Sequence, residues 1–231
     1  RVIAEIEPGQ AVGVIGGKID VLTKSNRAKI MVRFHEPTAK RLQWVASTAK
    51  GILGFSGDAG QLTKVINLIF ENILHNANTD RPLDILFVVD STGSMKDDIL
   101  DVARNGVSIV NKLEEFSKTG LDIQVAVAEY NDVSKGHFPY PGTKSLYRIN
   151  RKLSKDFAAS REAFGKIRAF AGGDHPEAMI EILRACTPAK TGCEMNWRDE
   201  EEKRLFSQKR IILITDAPPH ETSHDGKDFF E

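Results

Sequence analysis

The sequence predicts an α/β fold: a doubly wound, mostly parallel sheet in three layers, preceded by a smaller α+β module. Three observations predict it. Beyond residue 80, apolar β-branched runs alternate with segments whose apolar residues recur every three to four positions, the pattern of strands covered by helices on both faces. Two of those runs, Ile85–Asp90 and Arg210–Asp216, end in aspartate. Before residue 80 the order differs, with short strand-like runs first and helices after them. The boundary falls at Asn76–Leu83 (NANTDRPL), where a helical pattern stops at polar, turn-forming residues and a proline. This gives an accessory module over 1–79 and a main domain over 80–231.

In the first part, Gln10–Ile15, Lys18–Leu22 and Ala28–Phe34 read as a meander of strands, punctuated by Gly16-Gly17 and Ser25-Asn26. Pro37 can start a helix that runs to about Leu53. A second helix shows one apolar face in Leu62, Val65, Ile66, Ile69, Phe70 and Ile73. In the main domain, Ile85–Asp90 is a continuous apolar strand. Ile99, Val102, Ala103, Val107, Val110, Leu113 and Phe116 form a helical stripe that Gly120 ends, and Leu121, Ile123, Val125 and Val127 alternate as a second strand. A loop with Pro139, Pro141 and Gly142 leads to an edge strand near Ser145–Ile149. Helices follow over Phe157–Phe170 and Pro176–Ala185, the latter with Asp174 as its N-cap. Trp197–Arg204 (WRDEEEKR) reads as a solvated helix face or loop, and Arg210–Asp216 is the third buried strand, stopped by Pro218-Pro219.

Composition narrows the function. Apolar residues make up 41% and charged residues 28%, ordinary globular values that argue against disorder as the dominant state. The 32 basic and 32 acidic residues cancel; residues 1–80 hold 10 basic against 7 acidic, leaving 22 against 25 in the remainder. Neither part has the basic excess that phosphate backbones favour, so nucleic acid is a poor partner. The apolar runs are strand-sized, short of the ~20 residues that span a bilayer, so no membrane insertion is expected. The chain opens on Arg1 instead of Met, which suggests a trimmed or processed product. Cys186 and Cys193 close a small loop if bridged, and two free thiols fit the sequence equally well.

The chemistry concentrates after the first main-domain strand. Asp90-Ser91-Thr92-Gly93-Ser94 places a carboxylate and two alternate hydroxyls on a tight loop that opens a helix. In a doubly wound sheet, ligands bind beyond the carboxyl ends of the strands, where such loops converge. The donors are hard oxygens, suited to Mg²⁺, with Mn²⁺ or Ca²⁺ as alternatives, and not to thiophilic metals. In isolation the same string would more often be an ordinary helix cap.

The segment FVVDSTGSM resembles the DxSxS or DxTxS signature of von Willebrand factor A (VWA) domains, which forms their metal-ion-dependent adhesion site. Two further segments match in order: AGGDHPEA, over residues 171–178, resembles the GGDxPEA loop of one branch of the family, and ITDAPPH, over 214–220, resembles its strand end. The resemblance spans Asp84 to Asp225 and implies a Rossmann-like three-layer fold. It implies a divalent-cation-dependent protein-binding module, adhesive or scaffolding, and not an enzyme. Asp90, Thr92, Ser94 and Asp216 match metal-site positions. In the middle loop many members carry threonine, whereas this chain offers Gly173 and Asp174. Either Asp174 takes the ligand position or it sits one residue beyond; we place it near the metal.

A cation held by neutral hydroxyls keeps enough positive charge to attract an acidic side chain from a protein partner. The added Asp174 carboxylate is expected to tighten cation binding and to weaken that pull. A secreted or cell-surface setting is expected over a cytoplasmic one. Family members normally continue beyond the strand matching Arg210–Asp216, so either further C-terminal sequence follows Glu231, the reading favoured here, or Arg1–Thr79 supplies strands and helices that complete the sheet.

Two other motifs are weaker. His220-Glu221-Thr222-Ser223-His224 fits HExxH, in which two imidazoles hold Zn²⁺ and the glutamate is general base of a hydrolase. It follows Pro218-Pro219 directly and has little apolar helical support, so a polar loop beside the cation site is the better account. A recruiting domain within a larger enzyme is the other enzymatic alternative. Gly13–Lys18 departs from a phosphate loop, because Val12 stands where its first glycine belongs and Ile19 replaces Ser or Thr.

Overall fold

The computed structural model describes residues 2–6, 19–24, 27–32, 42, 54, 59–133, 137–170, 172, 178–186, 195–200 and 205–217. It divides into two compact units, Arg1–Asn72 and Ile73–Glu231.

In the first unit, β1 (Val2–Ile6), β2 (Ile19–Lys24) and β3 (Arg27–Val32) form an antiparallel sheet of order β1-β3-β2. β2 and β3 match the expected meander. β1 was not foreseen, because VIAEI is short and lies outside the turn-punctuated runs. The run Gln10–Ile15, the Gly13–Lys18 segment and most of the helix expected after Pro37 lie outside the described residues; Leu42 is helical and buried. α1 (Ala59–His75) follows the predicted apolar periodicity.

The second unit is built on β4 (Leu83–Asp90), β5 (Ile123–Tyr130), β6 (Tyr147–Ser154) and β9 (Gln208–Ile214), in sheet order β6-β5-β4-β9. β4 pairs in parallel with β5 and β9, while β6 runs antiparallel on β5. The sheet is mixed but mostly parallel, as the alternating pattern implied. β4 is buried along its whole length, which explains why it reads as an unbroken apolar run. Each such Leu, Ile, Val or Phe contributes about 1.5–3 kcal/mol through burial.

A 3₁₀ turn (Gly93–Asp97) leads from the first loop into α2 (Ile99–Lys118). α3 (Phe157–Lys166) is capped by Asp156, whose side chain accepts from Ala159 N, and α4 is Met179–Cys186. Gly106 of α2 allows close packing, because a Cβ there would stand 2.3 Å from the Phe164 ring. That ring meets Phe87 of β4 edge to face at 5.0 Å between centroids.

Three expectations change in detail. The helix expected to Phe170 ends at Lys166, where Ile167 turns extended (φ −65°, ψ 131°) and Arg168 Nη1 donates to Gly165 O and Ile167 O. In the charged stretch 197–204, Asp199–Glu200 (β7) pairs antiparallel with Leu205–Phe206 (β8). Arg198 is not solvated: its Nε donates to Asp84 Oδ1 at 2.7 Å, and its Nη2 to Leu83 O and Asp122 O, all three at the start of the parallel strands. Apolar periodicity does not register such a pairing, because both partners are charged. Trp197 Nε1 donates to Cys186 O at the end of α4. Cys186 is buried, and Cys193 lies outside the described residues, as does the Asp174 cap.

Candidate metal centre

β4 carries the first loop to the carboxyl end of the sheet. Asp90 is its last residue and is fully buried. Its Oδ1 accepts from Thr92 N at 2.9 Å and from Thr92 Oγ1 at 2.7 Å, which curls the loop back over the strand end. Its Oδ2 is held from the neighbouring strands, by Tyr130 Oη at 3.0 Å and Thr215 Oγ1 at 2.9 Å. One oxygen therefore shapes the loop and the other ties it to the sheet.

The donors continue outward. Thr92 Oγ1 and Ser94 Oγ are 2.9 Å apart, and Ser94 Oγ donates to Asp216 Oδ1 at 3.0 Å. Asp216 stands two residues past the end of β9. The structure thus brings Asp90, Thr92, Ser94 and Asp216 into one line of oxygens. Thr92 occupies the cap position of the 3₁₀ turn but makes no side-chain cap bond, its hydroxyl being turned to Asp90 instead. Asp174 and the His220, Glu221 and His224 set lie outside the described residues.

Burial raises the Asp90 pKa above its ordinary value, opposed by the hydrogen bonds from Thr92, Thr215 and Tyr130. Among the described residues no ion pair neutralises Asp90. The residues present fit a hard divalent ion: every donor is oxygen, two are carboxylates, and the buried one lacks a compensating charge. Among the described residues no group of three or more His, Cys, Asp and Glu side chains is placed to hold a metal ion.

Sequence reasoning missed the supporting residues. Tyr130 and Thr215 fix Asp90, and Asn131 Nδ2 donates to Ser91 O at 2.7 Å. On the same face as Ser91, buried Glu129 accepts from Arg148 Nε at 2.8 Å and from Asn150 Nδ2 at 3.1 Å; Glu129 and Arg148 are register partners. Arg148 lies over the Tyr140 ring, 5.2 Å from its centroid, and Tyr140 Oη is 3.4 Å from Ser91 Oγ. Burial pushes the Tyr140 pKa far up, so its hydroxyl stays protonated. The one available signal was position: Tyr130 ends, and Asn131 directly follows, a strand that runs parallel to β4, where loops converge.

The mixed sheet with its flanking helices and the Asp90–Ser94 loop is similar to the fold of von Willebrand factor A domains. No family model matches the chain. It is 24% identical over 211 residues to Integrin beta-1-B of Xenopus laevis, across 81% of this chain and 25% of that protein, so it spans about a quarter of that relative's length. Among solved structures it is similar to the vWF domain of the type V pili tip protein Mfa5 from Porphyromonas gingivalis (18% identity, 61% of this chain, 39% of that chain, TM-score 0.40). It is also similar to the pilus adhesin SpaC from Lactobacillus rhamnosus GG (23% identity, 60% and 15% covered, TM-score 0.44) and to the SpRpn10 VWA domain (10% identity, 60% and 61% covered, TM-score 0.37).

Proposed function

We propose that the 80–231 domain is a divalent-cation-dependent protein-binding module, with 1–79 as an accessory module and no catalytic role of its own. Asp90, Thr92, Ser94 and Asp216 hold Mg²⁺, joined by Asp174 from the middle loop; Mn²⁺ or Ca²⁺ are the alternative ions. One observation carries this reading. Side-chain oxygens from two separate loops converge in one run, Asp90 Oδ1 to Thr92 Oγ1 at 2.7 Å, Thr92 Oγ1 to Ser94 Oγ at 2.9 Å and Ser94 Oγ to Asp216 Oδ1 at 3.0 Å, two carboxylates and two hydroxyls of the hard-donor kind a divalent cation takes.

When bound, the ion supplies a positive centre for an acidic side chain of the partner. The chain's own residues fix where that centre lies: Tyr130 and Thr215 orient Asp90, and Asp90 orients the two hydroxyls. The resemblance to an integrin and to proteins described as a pilus adhesin and a pilus tip protein supports a secreted or cell-surface role in adhesion.

The test is a Mg²⁺ and Mn²⁺ titration by calorimetry, paired with Mn²⁺ anomalous scattering from crystals. Binding with density between the Asp90 and Asp216 loops, lost in Asp216→Ala, is the expected result. Absence of binding at millimolar metal would overturn the reading. A cation-dependent pull-down, run beside a hydrolase screen with His220→Ala as control, separates binding from zinc catalysis.

A further inference from the structure

The chain leaving α3 returns to the carboxyl end of the sheet and is pinned there by one buried amide. Asn131 lies just past β5 and is fully buried. Its Nδ2 donates to Ser91 O and to Phe170 O, each at 2.7 Å, and so joins the Asp90–Ser94 loop to the chain beyond α3. Its Oδ1 accepts from Asp132 N at 2.8 Å, and its backbone N donates to Leu146 O at 2.8 Å. Phe170 N closes the same seam by donating to Ser91 O at 3.0 Å. Two residues on, Gly172 has φ 99°, and a Cβ there would stand 3.3 Å from both Gly93 N and Thr92 Cβ. The two segments therefore meet at Ser91 and again at Thr92-Gly93, directly beside the oxygen line. The sequence then runs into 173–177, which contains Asp174.

We propose that Asn131 is a positioning residue for the cation site. It fixes the spacing between the Asp90–Ser94 loop and the segment entering 173–177, and thereby sets cation affinity without touching the ion. This rests on the cation-binding reading above. The chemistry calls for an amide. Ser91 O and Phe170 O are both acceptors and repel each other; a planar NH₂ offers two protons in a fixed fork and can satisfy both. A carboxylate in the same place would turn lone pairs toward them, and an apolar side chain would leave Phe170 O without this donor.

The experiment uses the full chain with Asn131→Ala and, separately, Gly172→Ala. Gly172→Ala presses on the same seam from the other side and keeps the buried amide, so it tests the spacing itself; Asn131→Asp, of the same shape as the amide, tests the Nδ2 donor where Asn131→Ala does not fold. Mg²⁺ and Mn²⁺ affinities are measured by calorimetry, and amide exchange at Phe170 by NMR in EDTA. Each variant is expected to weaken Mn²⁺ binding roughly tenfold, the lower end for outer residues of metal sites, and to speed Phe170 exchange. The double variant should lose less than the sum of the two, because both act on one seam. Unchanged Mn²⁺ affinity in the folded variants overturns the proposal, as does unchanged Phe170 exchange. If the wild-type chain binds neither ion, the cation-binding reading fails and the affinity claim with it, while the exchange result separately decides whether Asn131 holds the seam.

Discussion

Replacing Arg198 with alanine tests the lower end of the sheet, opposite the candidate metal centre. Asp84 is fully buried in β4, and the Arg198 side chain is 15% exposed. The guanidinium meets Asp84 Oδ1 through Nε at 2.7 Å and Nη2 at 2.5 Å, and reaches Asp122 Oδ1 through Nη1 at 2.8 Å. After truncation Asp84 keeps the backbone N of residue 198 as a donor, and Asp122 O keeps Leu83 N. The Asp84 charge, however, stays buried without its counterion. Breaking a buried pair from one side costs about 3–5 kcal/mol. The residual exposure and the surviving bonds favour the lower end, about 3 kcal/mol. At about 2–4 °C per kcal/mol for a domain of this size, Tm should fall by roughly 6–12 °C. Differential scanning calorimetry with urea unfolding reads this. Asp84→Asn in the Arg198→Ala background should recover part of the loss, since it removes the stranded charge. A loss under about 1 kcal/mol, or a double variant worse than the sum, would refute the buried-pair account.

Three further outcomes are expected. Gly106→Ala should destabilise by roughly 1–3 kcal/mol through overpacking against the Phe164 ring, seen as a lower urea midpoint with an unchanged slope; an unchanged midpoint would mean that the ring moves aside freely. For Asp122, burial acts to raise the pKa, but the hydrogen bonds and charges of Lys155 and Arg198 outweigh it and hold it below the usual carboxylate range. A carboxyl with a depressed folded pKa contributes stability in full above its unfolded pKa of about 3.9, and loses it as pH falls through the folded value. The stability gap between wild type and Asp122→Asn should therefore narrow below about pH 4 and shrink in high salt, because Asp122 and Lys155 are both partly exposed; a gap constant from pH 7 to 2.5 counts against it. Asp174→Thr should weaken Mg²⁺ binding and increase dependence on an acidic partner side chain, and tighter Mg²⁺ binding in the variant would contradict the role given to Asp174.

What could be read from the sequence was local. β4 announced itself because both of its faces are buried and its central run, Ile85–Val89, is unbroken by a polar residue. The Asp90–Ser94 loop was legible because alternate residues on a tight turn interact with each other, within two positions along the chain. Its supports were not. Tyr130 and Thr215 reach Asp90 across the sheet, and a tyrosine ending an apolar strand looks like packing until its hydroxyl has a partner. Asn131 reads as an ordinary turn residue. Arg198 was hidden in a run of charges whose neighbours gave no hint that one guanidinium turns inward. β6 was foreseen at the edge near Ser145–Ile149, yet its direction and its extent to Ser154 depend on pairing with β5, including an irregular register near Val127.

The reversed direction of β6 has an electrostatic consequence. A helix following a parallel strand starts at the carboxyl end of the sheet and points its positive pole there, as α2 does after the Asp90–Ser94 loop. α3 follows an antiparallel strand, so it starts at the opposite end and delivers its negative pole to the loops. Arg168 lies across that pole, donating to Gly165 O at 2.6 Å and Ile167 O at 2.7 Å. The sheet end that gathers carboxylates thus carries a helix pole of the same sign with a guanidinium laid over it. The local field there depends on where one exposed arginine rests as well as on the aspartates.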